Sequence, residues 1–172
     1  MLISRLLTLG FPQSAIMETT QVFVYGTLKR GEPNHGWMMK TGPGQGCAEL
    51  LGSARTCRPF PLLVAGPYNI PYCLDRPGEG HRIFGEVYRV DADKMKRLDE
   101  LEAYPKHYNR RQEDVIISDD PEDTPVKAWI YLWENYTDEH LRLKLIDNYT
   151  NDVSSESGRY VPKELREKPA WS

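Results

Sequence analysis

Ile83-Phe84-Gly85-Glu86-Val87-Tyr88-Arg89-Val90, followed at once by Asp91-Ala92-Asp93-Lys94-Met95-Lys96-Arg97-Leu98-Asp99-Glu100-Leu101-Glu102-Ala103-Tyr104-Pro105, decides the fold class. The first eight residues are β-branched and aromatic enough to read as a strand, and the glycine inside them marks a bulge or a close backbone approach. Asp91 supplies a helix N-cap, with Val90 ahead of it as a staple residue. The helix runs from Asp91 to Tyr104 and is stopped by Pro105. Outward from this unit the chain is strand-rich. Val22-Phe23-Val24-Tyr25 halts at Gly26, and Leu50 to Thr56 and Leu62-Leu63-Val64 read as two more strands. Val115-Ile116-Ile117 and Val126 to Trp133 form a hairpin across the acidic turn Asp119 to Asp123. Glu139 to Asn148 reads as a short second helix, followed by a polar tail. Many short strands around one good helix predict an α+β fold, a curled sheet or small barrel.

A chain of 172 residues is long enough to bury one core without disulfide or metal staples. Its 22 lysines and arginines against 25 acids leave a net charge of −3, which excludes the basic surface of a nucleic-acid binder. No stretch approaches the roughly 18 consecutive apolar residues of a membrane span, so no membrane partner is expected. Cys47, Cys57 and Cys73 form no C-x-x-C pair and have no histidine partner nearby, since His35, His81, His107 and His140 are scattered singly. They read as buried or half-buried free thiols in a reducing compartment, and the cytoplasm is the expected location. Residues 1–20 hold one cation, Arg5, and no acid before Glu18, while Gly10 and Pro12 interrupt any helix. They read as a disordered extension, with organelle targeting as the alternative. Residues 21–165 form the domain, including a tail docked through Tyr149 and Tyr160, and residues 166–172 a flexible C-terminus.

Gly42-Pro43-Gly44-Gln45-Gly46 follows no strand and lacks the later glycine and lysine of a phosphate loop, so it reads as a plain turn. No nucleotide, flavin or metal cofactor is expected. Two local features carry chemistry. Helical periodicity places Glu102 on the apolar stripe between Met95 and Leu98, with Glu100 facing solvent and Asp99 at the margin. A carboxylate there is partly desolvated and has a raised pKa, so it is a candidate proton carrier. The competing reading is a core-edge glutamate paired with Arg110 or Arg111. The second feature is Tyr25-Gly26-Thr27-Leu28-Lys29-Arg30-Gly31, where a glycine directly after a strand leaves backbone N–H groups free to bind an anion. A turn without function is the competing reading there.

Tyr25-Gly26-Thr27-Leu28, Gly85-Glu86-Val87-Tyr88 and Leu98-Asp99-Glu100-Leu101-Glu102, followed by Pro105 and Tyr108-Asn109-Arg110, together resemble the gamma-glutamylcyclotransferase superfamily. The longer run Val22 to Gly31 with Pro33-Asn34-His35, then Asn69-Ile70-Pro71 and Gly158-Arg159-Tyr160-Val161-Pro162, resembles its branch acting on gamma-glutamylamines. The likeness extends from Val22 to Lys163. It departs from the pattern in the N-terminal extension, in the Trp37 to Glu49 region and in the tail.

The resemblance implies a small mixed β-barrel with flanking helices. It also implies Glu102 as the catalytic residue and Tyr25, Gly26, Thr27 and Leu28 as the substrate loop. The implied substrate is a small gamma-glutamyl compound, gamma-glutamyl-ε-lysine, cyclised to 5-oxoproline with release of lysine and without a cofactor. A monomer is expected. The alternative on the same fold is a non-catalytic small-molecule-binding or stress-response module. The presence of both the loop and Glu102 favours the enzyme, because a binder has no need of an acid on an apolar stripe.

Overall fold

Val22 and Val24 enter one apolar cluster with Tyr88, Val90, Met95 and Leu98, whereas Phe23, between them, enters another with Val87, Val115, Ala128 and Ile130. Side chains alternate across a strand, so a strand that is apolar on both faces must divide two cores. The computed structural model describes residues 18–152 and 159–166. Most of the expected N-terminal extension, Gly158 and residues 167–172 lie outside these.

In chain order the elements are β1 (Thr19–Val24), the single turn α1 (Gly36–Met39), β2 (Ala48–Thr56), β3 (Leu62–Ala65), β4 (Ile70–Cys73), β5 (Phe84–Asp91), α2 (Ala92–Leu101), β6 (Asn109–Ile117) and β7 (Val126–Leu132). Two 3-10 turns follow, at His140–Arg142 and Lys163–Leu165. Antiparallel pairing runs β1-β5-β2-β6-β7, and β7 returns to β1 in parallel through Val22 and Trp129, closing a five-stranded mixed barrel. β3 and β4 pair with each other outside the barrel, with a further bridge from Leu62 to Ile146. The α+β barrel expected from the sequence is therefore present, with α2 laid against its outer face through Met95 and Leu98.

Gly85 is a close approach, because a Cβ there would run into the Val24 carbonyl and the Phe23 ring. The bulge belongs to the facing strand, where the register slips between Leu50 and Gly52. Three expectations are corrected. β4 was not expected. Cys47 is exposed rather than buried. The second helix over Glu139 to Asn148 is only the turn His140–Arg142, which has no side-chain cap. Beyond that turn the backbone serves sheet edges: the Ile146 N–H donates to the Leu62 carbonyl (2.8 Å) and the Phe84 N–H to the Asp147 carbonyl (2.8 Å). Among the described residues, no helix is long and apolar enough to cross a membrane.

Candidate active site

At the end of β1 the Tyr25 hydroxyl donates to the Tyr131 carbonyl on β7 (2.9 Å), bridging the parallel seam of the barrel. The chain then turns, with the Lys29 N–H on the Gly26 carbonyl (3.2 Å) and the Asn34 N–H on the Thr27 carbonyl (2.9 Å). Gly26 is required for space rather than for a left-handed backbone: a Cβ would lie 2.8 Å from Cγ of Pro71 on β4. Among the described residues, the amide groups of Gly26, Thr27 and Leu28 donate to no protein acceptor. Unengaged amides on one short loop form a small field of fixed dipoles that favours negative charge.

The far end of this loop is anchored by residues that the sequence reading assigned no role. Glu86, nearly buried on β5, accepts from the Arg30 N–H (2.9 Å), from Arg30 Nε (2.8 Å) and from the Tyr88 hydroxyl (2.9 Å). Burial alone would raise its pKa, but these donors hold it below the usual carboxylate range. Buried Lys29 reaches Oδ1 of Asn148 (2.7 Å) and the Tyr149 carbonyl (2.6 Å). An acid on the inner run of an otherwise apolar strand was the signal that could have pointed to Glu86.

α2 carries Glu102 to the same place. Asp91 caps the helix by accepting from the Lys94 N–H (2.8 Å), as its sequence position predicts. The helix ends in a Schellman arrangement, with the Tyr104 N–H on the Asp99 carbonyl (2.9 Å) and the Ala103 N–H on the Glu100 carbonyl (3.2 Å). Ala103 takes the left-handed position, at φ 50°, and Glu102 is the C-cap.

The ion pair weighed for Glu102 is absent. Arg110 grips Asp99 with two bonds (2.8 and 3.1 Å), and Arg111 reaches Asp75 (3.1 Å) and Glu113 (2.6 Å). Asp99 also accepts from the Tyr131 hydroxyl (2.7 Å), so one helical turn before Glu102 the helix is fastened to β6 and β7. That role for Asp99 was not read from the sequence, where it sat at the margin of the apolar stripe. Glu100 is exposed and pairs with Arg97 (2.6 Å), as periodicity predicts.

With no cation paired to it among the described residues, the Glu102 carboxyl is pushed up to about 7 by desolvation. Its position at a helix C-terminus, where the backbone dipole is negative, acts in the same direction. The hydroxyls of Tyr25, Tyr108 and Tyr131 lie within its electrostatic reach, and burial holds all three protonated.

These groups line one cleft of about 330 Å³, formed by the loop from Tyr25 to Leu28, the end of α2 at Glu102, Pro71, Tyr108 and Tyr131. All five residues singled out from the sequence, Glu102, Tyr25, Gly26, Thr27 and Leu28, therefore meet there. The rest of its wall includes Asn34, Trp37 and His107 together with residues 159–166. The Val161 N–H donates to the Tyr68 carbonyl (3.0 Å), and Asn69 Nδ2 to the Arg159 carbonyl (2.7 Å). Among the described residues, no three His, Cys, Asp or Glu side chains are grouped to hold a metal ion.

Residues 22–151 match the family described as gamma-glutamyl cyclotransferase, AIG2-like. A Drosophila melanogaster protein, provisionally named a gamma-glutamylcyclotransferase, is 47% identical over 131 residues, covering 76% of this chain and 80% of its own. The gamma-glutamylaminecyclotransferase of Bos taurus is 41% identical over 146 residues, covering 84% of this chain and 83% of its own. The crystal structure of an AIG2-like protein from Mus musculus, 38% identical, superposes with a TM-score of 0.78 over 86% of this chain and 99% of that one. The extent of the match, the barrel and the relatives lead to one conclusion: this chain belongs to the gamma-glutamyl cyclotransferase, AIG2-like family.

Proposed function

We propose that the chain cyclises the gamma-glutamyl group of gamma-glutamylamines to 5-oxoproline, with gamma-glutamyl-ε-lysine as substrate and free lysine as the leaving amine. The observation that carries this reading is an unpaired carboxyl of raised pKa, Glu102, in one cleft with a loop of unengaged amide donors. The reaction needs little else. The substrate's α-nitrogen attacks its own γ-carbonyl carbon, the bond to the leaving amine breaks, and positioning alone removes much of the barrier to an intramolecular step. On its way to the lactam N–H the α-ammonium gives up two protons, one of them to solvent; the other must be taken by a base and one returned to the departing nitrogen. A single carboxylate with a pKa near neutrality performs both transfers in turn, so Glu102 is assigned as base and then acid. The amides of Gly26, Thr27 and Leu28 are assigned to the substrate's α-carboxylate or to the tetrahedral oxyanion, as preorganised dipoles. Tyr25 holds the loop at the seam, where its protonated hydroxyl stays a donor.

The name borne by the Bos taurus relative is in keeping with an amine leaving group. The test is parallel incubation with gamma-glutamyl-ε-lysine, glutathione and gamma-glutamyl-alanine, reading 5-oxoproline and the released amine. Release from gamma-glutamyl-ε-lysine, with little from glutathione, is the expected outcome. Equal or faster release from glutathione overturns the leaving-group assignment, and release from none of the three overturns the activity.

A further inference from the structure

Tyr160 and Arg166, on the tail wall of the cleft, form a pair with donor hydrogens left over after their own contacts are made. The Tyr160 oxygen accepts from Asn34 Nδ2 (3.0 Å) and from an Arg166 guanidinium nitrogen (3.3 Å). A phenolic oxygen that has accepted twice keeps only its own O–H to offer. The same Asn34 amide donates to Thr27 Oγ1 (3.0 Å), so the substrate loop and the tail share one polar chain. Arg166 is half-buried. It donates through Nε to the Val161 carbonyl (3.1 Å) and lies over the rings of Tyr68 (4.7 Å) and Tyr160 (5.5 Å). Among the described residues it has no carboxylate partner. An arginine stacked on aromatic rings, with donors to spare beside a tyrosine O–H, is prepared for a carboxylate.

We propose that Tyr160 and Arg166 form the subsite for the carboxylate of an amino-acid leaving amine, which makes them specificity-determining residues. The inference rests on the cyclotransferase reading. The γ-glutamyl head must put its α-nitrogen within reach of Glu102, and the loop amides are there for its α-carboxylate. The tail forms a separate wall of the cleft, with Lys163 and Glu164 exposed beside the pair. Glu164 gives that wall an acid to match the ammonium that an amino acid carries next to its carboxylate. Lysine attached through its ε-nitrogen presents both charges at the far end of a four-carbon arm.

The experiment compares gamma-glutamyl-ε-lysine with gamma-glutamyl-cadaverine, which differs only in lacking the distal carboxylate. Both are assayed on the full-length chain and on its Arg166→Gln and Tyr160→Phe variants. Arg166→Gln is expected to lower kcat/KM for gamma-glutamyl-ε-lysine about tenfold, mainly through KM, and to leave gamma-glutamyl-cadaverine unchanged, as befits the loss of one charge-assisted contact at a part-exposed site. Tyr160→Phe is expected to show the same selectivity with a smaller loss. An equal loss on both substrates overturns the proposal, because it assigns the pair to the γ-glutamyl head or to the structure of the wall. No loss on either overturns it as well. If the unaltered chain releases 5-oxoproline from neither substrate, the cyclotransferase reading has failed and the subsite falls with it.

Discussion

Glu102, half-buried, and Glu86, buried, are two carboxylates driven in opposite directions by what surrounds them. Around Glu102 desolvation dominates and no cation pairs with it among the described residues, so the neutral acid is favoured and its pKa rises to about 7. In the free enzyme kcat/KM should therefore climb as pH rises through about 7, where the carboxylate becomes available as base. Glu102→Gln should lower turnover by on the order of 10² to 10⁴ and lose that limb.

The stability sign follows from the same shift. A folded-state pKa above the ordinary 4.5 means that the charged form opposes folding, so the substitution should stabilise at and above neutral pH, and the gain should vanish below pH 4.5. Its ceiling is about 3 kcal/mol, read from thermal or denaturant melts across pH. Glu100→Gln is the control and should move stability by no more than about 0.5 kcal/mol. Glu86 is the reverse case, held low by Arg30 and Tyr88. Glu86→Gln should cost about 1–3 kcal/mol at neutral pH. That cost should fade as acid protonates the wild-type carboxylate. An Arg30 anchor that is dispensable would show as an unchanged melt.

At the scale of elements, α2 was legible because its cap and its apolar period agree with each other, although it ends at Leu101 in a Schellman turn rather than running on to Tyr104 and Pro105. The placement of Glu102, Glu100 and Asp91 followed from that agreement. Its last turn was less legible. Ala103 sits at φ 50°, a left-handed position usually given to glycine. Ala103→Gly should relieve a strain of roughly 1 kcal/mol, visible as a raised Tm, provided the greater freedom of glycine in the unfolded chain does not absorb it.

β4 was illegible because Pro71 interrupts Ile70–Cys73. A proline is tolerated there in a two-stranded pair that is not part of the barrel. The same proline, packed on Gly26, is why that position admits no side chain. Glu139 to Asn148 was misread because Leu141 and Leu145 have helical spacing, yet both pack on the outer core without a helix. Backbone groups at its end pair elsewhere instead, the Ile146 N–H with the Leu62 carbonyl and the Asp147 carbonyl with the Phe84 N–H at the start of β5. The four loop residues and Glu102 were legible as motifs. The contacts that hold them, Arg30 with Glu86, Asp99 with Tyr131 and Asn34 with Tyr160, join residues too far apart in sequence for any local period to reveal the pairing.

In the whole molecule, the tail contributes to two separable things, the fold and the cleft. Tyr149 is buried at 3% exposure in the inner core, and its carbonyl takes the Lys29 ammonium. Tyr160 and Arg166 belong instead to the cleft wall. A chain truncated after Asp152 should therefore melt close to the full-length protein while its KM for gamma-glutamyl-ε-lysine rises. One truncated after Asn148 should lose about 3–5 kcal/mol, as expected when a large buried aromatic is removed. Thermal melts and initial rates on the two truncations separate these effects. A truncation after Asp152 that melts as low as the shorter chain would place residues 159–166 in the fold itself.

The parallel seam between β1 and β7 orders events in time as well as in space. Tyr25 on one side of it is bonded to Tyr131 on the other, 106 residues along the chain. A ribosome delivers β1 first and β7 last of the barrel strands, so the substrate loop must wait, with its strand lacking one neighbour, for most of the protein to be made. Contacts of such separation close slowly. Prematurely terminated chains that stop short of Val126 would present the loop and Glu102 on an open sheet, with apolar β1 at its edge. Such fragments should be inert and prone to capture by quality control, whereas any chain that closes its barrel acquires its cleft in the same step.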